Sequence, residues 1–264
     1  MTLPNPNPNA NPNASADALG LPFPEAETLR FLERVLPAAP ARLLEVGFGD
    51  GRIAAALAAR GYGVTALDEV SAPAPGVARE GVAWIASDFL FFEGAPDAAP
   101  FDAILFTRSL HHIAPLDRAL DHAASLLAPG GLLVAEEFAV ERVNHPTARW
   151  WYDLEAVLVA GSVLSPPDPA LAAIRNPLGR WRQEHAADPP LATGHAMLAG
   201  VRERFETGPA EEAPYLYREV AARATAAPGT ADRVVRQVHE IEERLIRERD
   251  IAAAGLRIVG TRPA

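Results

Sequence analysis

The chain of 264 residues contains no cysteine. Disulfides, thiolate metal sites and cysteine nucleophiles are therefore excluded. Positive charge is also scarce: 24 Lys and Arg stand against 34 Asp and Glu, a formal net charge of −10. A surface of that sign repels a phosphate backbone, so nucleic acid is not an expected partner. No apolar run is long enough for a membrane span, so no membrane is expected as a partner. The N-terminus lacks the basic start and apolar core of a secretion signal, and the cytoplasm is the expected compartment. The adjacent His111 and His112 have no carboxylate cluster beside them in the sequence, so no metal site is expected.

The first residues read "MTLPNPNPNANPNASADALG". Asn and Pro alternate there, and neither favours helix or sheet. Residues 1–20 are expected to form a disordered arm. The remainder, 21–264, is 49% hydrophobic over the whole chain and long enough for one sizeable core. It is expected as a single domain. Leu29, Leu32, Val35 and Leu36 recur at helical spacing before Pro37. "ARLLEV", "GVTALD", "VAWIA", "FDAILF" and "LLVAEEF" read as apolar strands separated by helical segments. This alternation predicts an α/β fold with a parallel, doubly wound sheet. The segment between Asp68 and Gly81 carries Pro73 and Pro75, so any helix there is short or late.

After Phe138 the pattern changes. Residues 139–204 read as a helical insertion, with helices in "HPTARWWYDLEAVLVAG" and "TGHAMLAGVRERF". "PYLYREVAA" reads as a strand. Residues 230–254 read as one long amphipathic helix with Val234, Val238, Ile241 and Leu245 on its apolar stripe. "LRIVGTRP" reads as the last strand.

The motif with most chemistry is "LLEVGFGDGR", Leu43 to Arg52. Gly47, Gly49 and Gly51 are spaced G-x-G-x-G. The dinucleotide pattern needs a small residue where Arg52 stands, and no phosphate-binding G-x-x-x-x-G-K-[ST] occurs. Glu45 lies at the carboxyl end of the first strand, where ligands of open α/β sheets bind. A carboxylate there disfavours a pyrophosphate and suits an ammonium group. S-adenosylmethionine carries an ammonium and a sulfonium and no phosphate. Asp68, with Glu69 beside it, ends the second strand, where a carboxylate accepts hydrogen bonds from both ribose hydroxyls. Asp88 follows the third strand and accepts from an adenine amino group, while Phe89 offers a backbone N–H and an apolar edge to the ring. Arg52 has three options: pairing with Glu45, reaching the ligand carboxylate, or facing solvent.

Glu-x-Gly-x-Gly-x-Gly, the acid ending strand two, "SDF" after strand three, "FDAILFTRSLHHI" and "LLAPGGLLVAEEF" occur in order over Ala41 to Phe138. Together they resemble the class I S-adenosylmethionine-dependent methyltransferases, especially the small-molecule enzymes that share "SLHHI" and L-x-P-G-G. The resemblance implies a seven-stranded Rossmann-like sheet whose last strand is antiparallel and inserted beside its neighbour. "PYLYREV" and "LRIVGTRP" would then be strands six and seven. It implies that Thr107 lines the methionine pocket and that "TRSLHHI" sits beside the transferring methyl. His111 or His112 is thereby a candidate general base, the alternative being a role in loop structure. The family builds its substrate cover after strand five. Trp150, Trp151, Tyr152 and Trp181 are placed there either to sandwich a flat or apolar acceptor or to hold the added helices together. The expected function is methyl transfer to an oxygen or nitrogen of a small molecule. The alternatives are a protein- or RNA-directed methyltransferase and a non-catalytic binder of the nucleoside.

Overall fold

The computed structural model describes residues 20–69, 72–94, 99–186 and 191–264. The arm expected over residues 1–20 lies outside them but for Gly20. In chain order the elements are α1 (Phe23–Val35), β1 (Arg42–Val46), α2 (Arg52–Ala58), β2 (Gly63–Asp68), β3 (Val82–Ala86), β4 (Phe101–Thr107), α3 (Leu116–Leu126) and β5 (Leu127–Phe138). There follow α4 (His145–Ala160), α5 (Pro169–Ala172), α6 (Pro177–Glu184), α7 (Gly194–Arg204), β6 (Glu206–Thr207), β7 (Glu211–Ala213), α8 (Leu216–Arg223), α9 (Pro228–Glu248) and β8 (Gly255–Thr261). The chain divides into two compact units. The first runs to Glu137 and takes in His195–Glu211 and Arg257–Ala264; the second comprises Phe138–Gly194 and Glu212–Leu256. The segment expected as a helical insertion thus gives α4, α5 and α6 to the second unit, while nearly all of α7 belongs to the first.

The sheet has the strand order β3-β2-β1-β4-β5-β8-β6, with β7 also paired to β8. Strands β3 to β5 run parallel. β8 is antiparallel to β6. It is also antiparallel to β5, because Gly130 and Gly131 bond Arg262 while Ala139 bonds Ala254. This is the inserted last strand that the family resemblance implies, in a sheet of eight strands rather than seven. The order reverses between β1 and β4, so the carboxyl ends of these two strands open a crevice.

The apolar runs explain the elements. β1 and β4 are buried along nearly their whole length, as strands covered on both faces must be. α2 buries Ile53, Ala54, Ala56 and Leu57 on the sheet and stops at Gly61, whose N–H returns to Ala58 O. α1 packs Leu29 and Leu32 into the same core.

Four local expectations are corrected. "PYLYREV" is the helix α8, because Leu216, Tyr217 and Val220 bury themselves at helical spacing. Strand six is instead the two-residue β6. No helix forms over residues 72–81, where Pro73 and Pro75 leave only turns. β5 starts at Leu127, ahead of the Pro129-Gly130-Gly131 stretch, and absorbs it as an irregularity: the register jumps from Phe101↔Leu127 to Ala103↔Leu132. Finally, α9 ends at Glu248, since Arg249 turns left-handed with φ +64°. The residues α9 buries are Val235, Val238 and Glu242, not the predicted stripe of which only Val238 is fully covered.

Glu242 is the polar centre of the second unit. Its two oxygens accept the N–H groups of Tyr215 (2.7 Å), Leu216 (2.9 Å) and Tyr217 (3.0 Å). These are donors that the start of α8 cannot satisfy within the helix. Glu242→Ala leaves three buried N–H groups without an acceptor and should lower stability by at least about 2 kcal/mol. Urea unfolding checks this, and Glu242→Gln, which keeps an acceptor oxygen, should lose less.

Candidate active site

The site is built at the carboxyl ends of β1, β2 and β4 in the first unit. After Val46 the chain turns through Gly47 (φ +75°), Gly49 (φ +55°) and Gly51 (φ +84°) into α2. At Gly47 a Cβ would lie 2.6 Å from the Cβ of Ser109, so only glycine lets the turns after β1 and β4 meet. Gly49, by contrast, has open space where a Cβ would stand, which leaves its backbone approachable. Gly51 opens α2 beside Pro73 and Trp84. Phe48 anchors the loop edge-on against Trp84, with centroids 5.1 Å apart.

Glu45 is 1% exposed. Its Oε1 accepts from the Thr107 hydroxyl at 3.3 Å, and its Oε2 is buried with no hydrogen-bond partner. Among the described residues it is the one side-chain polar atom so placed. Burial pushes this carboxyl up to about 8. A buried acceptor without a donor costs about 1–3 kcal/mol. The arrangement calls for a ligand that brings an N–H or ammonium to the end of β1.

The other expected contacts surround it. Asp68 Oδ2 accepts the Gly49 N–H at 2.9 Å, tying the end of β2 to the glycine loop. Glu69 follows it, exposed. Asp88 is exposed and caps a short 3-10 turn by accepting from Leu90 N at 2.7 Å. The Phe89 ring is buried edge-on against Phe106 and His122. Its expected apolar edge is therefore spent on the core, and its backbone is the group it can offer. Arg52 pairs with Asp50 at 2.7 Å with its side chain 38% exposed, so of its three expected options it does not pair with Glu45 and it reaches solvent.

The turn after β4 carries the histidines. Arg108 stands at φ +69°, a strained conformation for a side chain of its size. Ser109 Oγ donates to Val46 O at 2.5 Å. His111 is buried, and its Nδ1 faces Glu137 Oε2 at 2.5 Å. His112 is exposed, with its ring centroid 4.1 Å from that of His111. Partial burial lowers the His112 pKa, His111 lowers it further, and Glu137 opposes the shift. Sequence reading missed Glu136 and Glu137. The available signal was two consecutive carboxylates inside the apolar run "LLVAEEF". Glu136 accepts from Thr28 Oγ1 at 2.5 Å and Arg257 Nε at 2.8 Å.

The aromatic residues expected to touch substrate lie in the second unit. Trp151 and Trp181 are 1% and 2% exposed. Trp181 donates from Nε1 to Val140 O at 3.1 Å, stacks on His185 at 3.8 Å and meets Phe138 edge-on. Of the two expected roles, burial favours holding the added helices together: the faces of these two rings are used inside the second unit. Trp150 and Tyr152 keep part of their surface exposed. The Tyr152 hydroxyl donates to Glu184, and Arg180 lies 3.9 Å over its ring. Among the described residues there is no group of three or more potential metal ligands, and no helix long and apolar enough to cross a membrane.

A mixed, largely parallel sheet with a glycine loop and an unmatched buried carboxylate at its switch point fits an α/β nucleoside-binding domain. Comparison with known proteins agrees. The family described as "Methyltransferase domain" matches residues 23–166. An uncharacterized methyltransferase of Mycobacterium tuberculosis is 30% identical over 179 residues, covering 65% of this chain and 81% of the relative. A ubiquinone biosynthesis O-methyltransferase of Caulobacter is 34% identical over 101 residues, covering 35% and 39%. The solved S-adenosylmethionine dependent methyltransferase of Mesorhizobium loti superposes with a TM-score of 0.53 at 18% identity, over 90% of this chain and 97% of its own, a likeness of fold. The chain belongs to the class I S-adenosylmethionine-dependent methyltransferases.

Glu45 also makes stability depend on pH. Its pKa is raised from 4.5 to about 8, so between those values the ligand-free folded protein holds a proton that the unfolded chain releases. The stabilisation from this group is complete below about 4.5 and is lost as pH rises through about 8. Glu45→Gln removes the titration. Its stability relative to the native protein should therefore increase from pH 5 to pH 9 in denaturant melts without ligand.

Proposed function

We propose that this methyltransferase transfers a methyl group to a nucleophilic oxygen or nitrogen of a small molecule. The donor is held by Glu45, Gly47, Gly49, Gly51, Asp68, Glu69, Asp88, the Phe89 backbone and Thr107. The observation that carries the assignment is the buried Oε2 of Glu45, which lacks a donor. It suits the ammonium of S-adenosylmethionine. In the same reading Asp68 accepts from the ribose hydroxyls and Asp88 from the adenine amino group, and the open flank of Gly49 admits the ligand close to the backbone.

When bound, the cofactor supplies a methyl group already activated by its sulfonium. The residues of the chain then orient the two reactants and exclude water. Such positioning contributes about 7–11 kcal/mol. A base that removes the acceptor proton adds about 10²–10⁴-fold; His111 and His112 are the candidates. A small-molecule acceptor is supported by the net charge of −10, which weighs against a polyanion. The relative named for ubiquinone biosynthesis is of the same kind. A chain without cysteine suits the cytoplasm, where we place it.

Calorimetry tests the donor site. S-adenosylhomocysteine should bind and NAD should not. At pH 7 the Glu45 carboxyl is protonated in the free protein, so capture of an ammonium expels a proton. The heat should therefore vary with the ionisation enthalpy of the buffer, and affinity should rise with pH up to about 8. Asp68→Ala should weaken binding by about 1–3 kcal/mol. Preference for NAD, or buffer-independent heats, would remove the role given to Glu45. Labelled donor incubated with enzyme and cell extract should place label in the small-molecule fraction; label in macromolecules alone would refute the acceptor class.

A further inference from the structure

We infer that Arg108 is a specificity-determining residue of the donor site: its guanidinium takes the carboxylate of the donor's amino-acid end and so selects the intact donor over its decarboxylated form. This rests on the donor site proposed above.

The groups concerned all lie in the first unit. In register, Glu45 stands opposite Leu105, and Glu136 stands opposite Thr107. Paired strand residues share a face, and so do residues two apart, so Glu45, Thr107 and Glu136 point to one side of the sheet. It is the side covered by α1, because Glu136 accepts from Thr28 there. Strand alternation would send Arg108 to the opposite side. Its left-handed turn (φ +69°) instead returns the side chain to the α1 side, where Nη1 donates to Thr28 Oγ1 at 3.3 Å. A left-handed arginine is strained and persists only where surrounding contacts hold it, and such residues concentrate at ligand sites.

The charge held there is not matched within the chain. Its paired carboxylate, Glu136, presents Oε2 at 3.7 Å from Nη1, beyond hydrogen-bond reach. Both Glu136 oxygens already have closer donors: Thr28 on Oε2 at 2.5 Å, and Arg257 on Oε1 at 2.7 and 2.8 Å. Among the described residues the Arg108 guanidinium donates one hydrogen bond, whereas a guanidinium carries about five N–H groups. The side chain is 27% exposed, so it is not sealed in the core.

Arg108 also neighbours Glu45. Thr107, whose hydroxyl donates to Glu45 Oε1, directly precedes it. Burial raises the pKa of the Glu45 carboxyl, and the Thr107 hydroxyl and the charge of Arg108 oppose that rise. An α-amino acid carries its ammonium and its carboxylate on one carbon. A site for it needs an acid and a base close together, each with hydrogen-bonding capacity that the protein itself leaves open. Glu45 Oε2 is the open acceptor, and the Arg108 fork is the open donor. Arg52, at the end of the glycine loop, is already bound to Asp50. A ligand without the carboxylate keeps its ammonium for Glu45 but leaves the Arg108 fork unmatched, which is the basis of the selection.

Calorimetry in the absence of acceptor compares S-adenosylmethionine with decarboxylated S-adenosylmethionine, which keeps the ammonium, the sulfonium and the nucleoside. Native protein should bind the first at least ~10-fold more tightly. Arg108→Gln should raise the Kd of S-adenosylmethionine at least ~10-fold and keep that of the decarboxylated ligand within about threefold, so that the preference disappears. Arg108→Lys keeps the charge without the fork and should retain part of the preference. Arg52→Gln should leave the preference intact. Thermal unfolding of each ligand-free variant is read alongside; if Arg108→Gln does not fold, the native preference and its narrowing in Arg108→Lys decide. Equal weakening of both ligands in Arg108→Gln, an undiminished preference in Arg108→Lys, or a preference lost in Arg52→Gln instead would overturn the inference. Native protein that binds neither ligand refutes the donor site itself; native protein that binds both equally refutes only the role of Arg108.

Discussion

A carboxyl group kept from water at the end of a central strand governs this molecule. Glu45 sits on β1, between β2 and β4, where the strand order reverses. Its neighbours are apolar because a parallel sheet is covered on both faces, and that burial raises its pKa to about 8. Thr107 satisfies one oxygen and leaves the other buried without a hydrogen-bond partner. The glycine loop follows from the same position. The chain leaving Glu45 must clear Ser109 at Gly47 and start α2 within seven residues. A buried carboxyl with one open oxygen and a tight strand-to-helix turn are thus parts of one arrangement.

Buried acids recur wherever elements meet. Glu137 gathers the turn after β4, and Glu242 holds the start of α8. In the second unit Glu155 lies between Arg180 at 2.6 Å and Arg223 at 2.5 Å. Such groups add little net stability, since desolvation offsets much of their attraction. Their value lies in direction. Apolar packing tolerates small rotations, whereas a carboxylate with assigned donors admits one geometry. The acids outside the donor site are therefore the pieces that fix side-chain and loop orientation around a core that hydrophobic burial has already formed.

Much of the first unit was legible because its signals are local. Five apolar strands, the spacing of Gly47, Gly49 and Gly51, and the acids at Glu45 and Asp68 all lie within short windows. What escaped depends on partners distant in sequence. The Tyr-Leu-Tyr of "PYLYREV" alternates like a strand, and the group that makes it a helix start is Glu242, more than twenty positions later. Trp151 and Trp181 have the composition of a substrate face. Only the packing of the second unit shows their rings covered. Glu137 lay inside what read as an ordinary buried strand, and its three partners come from the turn after β4. Arg52 does not pair with Glu45; it takes its near neighbour Asp50 at the surface.

The adjacency of Glu136 and Glu137 bears on how β5 finds its place. Successive strand residues face opposite sides of the sheet. Glu136 serves Thr28 and Arg257, while Glu137 serves Ser109, Leu110 and His111. In an apolar strand, a slip of one residue exchanges one hydrophobic side chain for another at modest cost. Here the same slip would carry Glu136 to the histidine side and leave Thr28 and Arg257 facing Ala135. It would also draw Glu137 away from the turn that holds His111. Two unlike sets of donors on opposite faces therefore act as a lock with two keyholes, and only one alignment of β5 opens both.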